Sequence, residues 1–202
     1  MSELNLPMNN SKIEVFTQDN LRFLYQLVFY IAGMVLGVWL FRALNLSKYS
    51  STIEDFILIK NDSLINIIVD RLSIYILVYV VTILLGLCLI GFPVINVIPL
   101  VCGVELSLKL SFIYCLYSVK GIGYSVLMII PEAAAFLVLL FYTIKDSKDL
   151  SRSLFNISKN NLESEIDLKQ YLKKFMLYCI GIISISILNS IMMYLFNSII
   201  KI

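Results

Sequence analysis

The chain is 202 residues long, 59% hydrophobic and 15% charged, with a mean hydropathy of +0.88. Ordinary soluble domains are roughly 45–50% apolar and about 25% charged, so a soluble globular fold is excluded and a single all-α, polytopic integral membrane domain is expected. A formal net charge of +2 and scattered basic residues imply no nucleic-acid partner, and a complete lack of histidine removes the commonest general base and metal ligand.

Residues 1–22 are polar, carrying Asn9, Asn10, Asp19 and Asn20, and read as a cytoplasmic tail. Residues 23–41 are interrupted only by Gln26, which gives a first span long enough to cross a hydrocarbon core of about 30 Å. No A-x-A-like cleavage site follows, so this span is expected to be retained rather than removed as a signal peptide. Gly33 and Gly37 form a G-x-x-x-G on it, a pattern that lets another helix approach closely. The loop 42–71 mixes charged residues with Ile53, Phe56, Ile57 and then Leu64, Ile65, Ile67 and Ile68 at helical spacing. Short amphipathic helices are expected there, lying on the bilayer or offering an apolar face to a partner.

A second span, 72–90, leads into Gly91-Phe92-Pro93, and a third, 94–119, leaves it. Glycine and proline together at the junction of two apolar runs predict a tight helical hairpin between the second and third spans. Pro99 and Gly103 predict a kink or half-helix in the third span. Gly103, Ser107 and Ser111, spaced by four, predict a small-residue packing face, with Gly91 and Pro93 shaping the reversal. A turn is expected at Lys120-Gly121-Ile122-Gly123, followed by a fourth span over 122–144 containing Pro131 and Glu132. Residues 145–174 are the most charged stretch and read as a cytoplasmic loop before a fifth span, 175–200. The five spans and their short connections leave no room for a soluble catalytic domain within this sequence. Counting Lys and Arg outside the membrane gives nine on the side of the N-terminus and six on the other. The bias predicts a multi-pass protein of the cell membrane with the N-terminus inside, the C-terminus outside and the 42–71 loop facing outward.

Three charged residues fall within spans. Glu105 and Lys109 are an i, i+4 pair in the favoured order and can neutralise each other. They mark either a substrate or proton path or a pair that orders the bundle interior, because a lone mid-membrane charge costs about 2.5–3.5 kcal/mol even on insertion scales. Glu132 follows a proline whose missing donor can admit water, so its carboxyl serves as a proton relay or as hydrogen-bonding glue between helices. The four cysteines, Cys88, Cys102, Cys115 and Cys179, sit in apolar runs without zinc-ligand spacing and behave as small hydrophobes. No nucleophile–base pair, H-E-x-x-H or C-x-x-C accompanies either glutamate, so no enzyme activity, catalytic residue, metal site or cofactor is expected.

Over 85–153 the chain resembles the stage II sporulation protein M family of polytopic membrane proteins. The resemblance is carried by Leu85-Gly86-Leu87, Ile90-Gly91-Phe92-Pro93, Gly103, the stretch YCLYSVKGIG at 114–123, Pro131 and the basic DSKDLSRSLF at 146–155. Glu105 and Lys109 depart from the apolar or small residues the family pattern has there. The resemblance implies a non-enzymatic membrane scaffold that holds peptidoglycan-degrading partners, similar to stage II sporulation proteins D and P, during endospore engulfment or related cell-wall remodelling. Ile53, Phe56 and Ile57 in the outward loop are then the expected partner-binding residues, with membrane lipid and a second copy of the chain as further candidate partners. The alternative is a small transporter or permease subunit with Glu105, Lys109 and Glu132 on the substrate path, since proline-broken spans often flank midplane sites.

Overall fold

The computed structural model describes residues 10–45, 64–89, 91–160 and 168–197. Among them the regular structure is entirely helical: α1 (Asn10–Ala43), α2 (Leu64–Leu87), the single turn α3 (Gly91–Val94), α4 (Val97–Tyr124), a π-helical turn (Ser125–Ile129), α5 (Ile130–Asn160) and α6 (Leu168–Asn197). Three stretches are long and apolar enough to cross a membrane, Asn20–Ala43, Gly91–Ile157 and Lys169–Met192, while Leu72–Leu87 is a shorter apolar helix. Large apolar side chains point outward along them, Val35 and Trp39 each being more than 60% exposed. Such a surface suits lipid rather than water.

Gly91–Ile157 folds back on itself. Ser118 adopts φ 49° and ψ −122°, and a Cβ placed on Gly121 would lie 2.6 Å from the carbonyl oxygen of Ile113. Eight residues along an unbroken helix would separate these groups by about 12 Å. At the far end of this hairpin, the Phe92 amide reaches Ser151 at 3.1 Å. The turn therefore lies at Ser118, ahead of the expected Lys120–Gly123, because Gly121 is needed for the close pass against Ile113 and Gly123 meets nothing. Pro99 leaves no kink: it sits in the first turn of α4, where a missing N–H has no intrahelical acceptor to lose. Pro131 is accommodated by the π turn just before it, in which the Ile130 amide bonds the Ser125 carbonyl.

The reversal expected at Gly91-Phe92-Pro93 begins earlier. α2 ends at Leu87, and Gly91–Val94 is already helical. Any Cβ on Gly91 would overlap the Leu85 carbonyl, so only glycine fits this close pass. Ser151 on α5 is fully buried and latches the corner, accepting from the Phe92 amide and donating to the Cys88 carbonyl at 2.8 Å. Backbone groups freed by a reversal within apolar surroundings are thereby satisfied internally.

Pairwise contacts fix the direction of each leg. α1 runs parallel to α4, with Gly33 against Leu100, Gly37 against Val104 and Phe41 edge-on to Phe112. α2 runs parallel to α5, with Tyr75 stacked on Phe136 and Gly86 against Ser147. α6 runs antiparallel to α5, with Tyr171 donating to Ser147 and Asn189 to Glu132. The five legs alternate in direction along the chain. At their centre Tyr79, Ile95, Ile98, Cys102, Phe136, Leu140, Ile144 and Phe175 form the apolar core.

Residues 64–71, expected to be an amphipathic helix in the first loop, form the opening of α2. Much of the charged 145–174 segment is also helical: α5 continues to Asn160 and α6 starts at Leu168. The physical reason is that one face of 145–152 is buried through Ser147, Leu150 and Ser151 while Lys148, Asp149 and Arg152 occupy the other. Ile53, Phe56 and Ile57 lie outside the described residues.

Candidate functional site

Two features identified from sequence meet in a seam between α1 and α4. A Cβ on Gly33 would overlap the Leu100 carbonyl, and one on Gly103 would overlap the Tyr30 carbonyl and approach the Met34 amide to 3.0 Å. A Cβ on Gly37 would collide with Ser107 Oγ and lie 2.8 Å from the Val104 carbonyl. Ser107 is buried, its hydroxyl turned back onto the Val104 carbonyl at 3.0 Å. Small residues at i, i+4 on both helices let the two backbones touch. Ser111, the next position on that face, is half-buried, and Pro93 is exposed at the corner.

The seam carries α4's other face toward the bundle interior. There Glu105 and Lys109 pair directly and line a cavity of about 40 Å³ with Glu132 of α5. Tyr30 of α1 and Tyr75 of α2 complete its wall. Glu132 is only 4% exposed and accepts a 2.6 Å hydrogen bond from Asn189 Nδ2 of α6. The three charged residues singled out in sequence are therefore brought together, and five elements contribute to the site. Lys109 and Glu105 keep 27% and 37% of their side-chain surface exposed, whereas Glu132 is enclosed.

No family model, curated protein or solved structure matches the chain. The chemistry of the cavity must therefore be read from its own atoms. A site holding two carboxyl groups and one ammonium suits water or a small cation. At roughly 10–15 Å³ of probe volume per water, it has room for about three waters, too few for a bulky solute. Asn189 was not among the sequence candidates, although a lone amide in an apolar helix is a recognised source of interhelical bonding. Ser147 and Ser151 were equally hidden: with Thr143 they form a four-residue repeat of small polar side chains, all fully buried, within a segment whose overall charge obscures it.

Proposed function

We propose that this chain is a membrane scaffold that crosses the bilayer five times, N-terminus inside, and recruits peptidoglycan-degrading partners in endospore engulfment or related cell-wall remodelling. The observation that carries the reading is the closure of the intramembrane charges on one another. Glu105 pairs with Lys109 and Glu132 bonds Asn189, around a cavity of about 40 Å³. Groups paired in this way order a bundle, leaving recruitment to the surfaces outside it. The alternating direction of the five legs fits five crossings, and the excess of Lys and Arg on the side of the N-terminus supports the orientation. The family resemblance over 85–153 supplies the partner class.

Convergence of three charged residues from two legs of the hairpin favours a second reading, a small cation- or proton-coupled permease subunit. The two readings part on a pair of variants. In the scaffold, Glu105→Leu with Lys109→Met leaves recovery of cell-wall hydrolases with the tagged protein intact, and Phe56→Asp with Ile57→Asp abolishes it. In the permease, the charge replacement stops flux in proteoliposomes and the loop replacement leaves it unchanged. Wild-type recovery of hydrolases by the loop variant would overturn the assigned contact surface, and failure of the wild-type chain to recover any would overturn the scaffold.

A further inference from the structure

A second and larger pocket, of about 600 Å³, opens where residues 21–26 of α1 and the α2–α4 corner meet α5. Four cations line it, Arg22, Lys145, Lys148 and Arg152, against one carboxylate, Asp149. Arg22 is tied to Asp149 at 3.3 Å, and the Arg152 guanidinium carbon lies over the Phe92 ring, 3.9 Å from its centre. Cations repel one another when gathered around one cavity, so such a cluster favours an anion at its centre.

Two amide side chains complete the wall beside the cations. Gln26 also lines the pocket; it is 3% exposed, and its amide oxygen has no hydrogen-bond partner. The Asn96 amide oxygen, in the same wall, is likewise unpartnered. Arginine forks match phosphate oxygens in pairs, and lysine adds point charge. Arg22 precedes the first apolar run and Lys145 follows the fourth, which puts the pocket at the depth where a bilayer's apolar core gives way to headgroups.

We propose that this pocket binds a phosphate group, presented by a lipid headgroup or by a soluble phosphate. The assignment is independent of the scaffold and permease readings. The test uses the full chain in a neutral maltoside detergent, titrated with dioctanoyl phosphatidic acid, with inorganic phosphate, and with dioctanoyl glycerol as the phosphate-free control, bound species being read by native mass spectrometry. Wild type binds a phosphate probe and not the control, Lys148→Gln with Arg152→Gln weakens binding at least tenfold, and Lys169→Gln with Lys173→Gln, which removes two exposed cations of α6, leaves it unchanged. Binding of phosphatidic acid that inorganic phosphate fails to displace identifies a headgroup, and displacement at similar concentration identifies a soluble phosphate. A measurement without variants runs alongside: the bound probe slows acetylation of Lys148 and leaves that of Lys173 unaltered. Absence of binding by both phosphate probes, equal loss in the α6 variant, or acetylation of Lys148 that ignores the probe would each overturn the assignment.

Discussion

Replacing Ser151 by alanine tests how the α2–α4 corner is held. The Ser151 hydroxyl accepts from the Phe92 amide at 3.1 Å and donates to the Cys88 carbonyl at 2.8 Å. The Cys88 carbonyl keeps the Gly91 amide as a second partner at 3.1 Å, so its loss is that of an ordinary bond, about 0.5–1.5 kcal/mol. Among the described residues the Phe92 amide has no other acceptor, and orphaning a donor costs about 1–3 kcal/mol, toward the lower end for this part-buried amide. Together these give a destabilisation of about 1.5–4.5 kcal/mol for Ser151→Ala, with little cavity contribution from one oxygen. Ser153→Ala is the matched control, because that exposed hydroxyl bonds only the Asp149 carbonyl of its own helix, and its change should stay below about 0.5 kcal/mol. Unfolding free energies from steric trapping of a doubly biotinylated chain would read both. If Ser151→Ala proves no more destabilising than Ser153→Ala, the corner is not held by this hydroxyl and the reasoning fails.

Three further outcomes are expected. Gly103→Val should drive α1 off α4, at a cost above the about 1–3 kcal/mol of ordinary overpacking because the clash is with backbone; disulfide formation between cysteines placed at Phe41 and Phe112, in a background without the native cysteines, would fall sharply. Ser118→Gly should stabilise the hairpin by about 1 kcal/mol, since a non-glycine at this positive φ costs about 1–3 kcal/mol and glycine returns part of that as chain entropy; an unchanged or lower unfolding free energy would contradict it. Lys109→Met alone should destabilise more than Glu105→Leu with Lys109→Met, because the single change strands a carboxylate. The difference should be on the order of the 2.5–3.5 kcal/mol for a lone mid-membrane charge. Comparing the two by the same unfolding measurement decides it.

Hydropathy made the helical, membrane-embedded character of the chain plain, and spacing by four revealed both halves of the α1–α4 seam, though not that they pair. That pairing joins residues about seventy apart in sequence, beyond the reach of any periodicity. The three charged residues were visible as exceptions in apolar runs, yet their convergence depends on the fold-back at Ser118, just ahead of the glycines that mark a turn. Two glycines drew the expected turn to Lys120–Gly123; Gly121 in fact answers to a close approach, not to backbone conformation. At the α2–α4 corner, glycine and proline marked the place, while the group that makes it tolerable, Ser151, comes from a stretch whose charge concealed its buried face. Asn189 was legible in principle, as a single strong donor among Ile, Ser and Met.

The parallel pairing of α1 with α4 constrains the order in which the protein can be assembled as it leaves the ribosome. α1 emerges first, but its partner is synthesised only after α2 and the corner have been laid down. During that interval the Gly33–Gly37 face is without the α4 surface that covers it in the finished fold, and any helix able to approach closely competes for it. A lesion that delays the α2–α4 corner would lengthen that interval, and is expected to act on yield before it alters the finished fold.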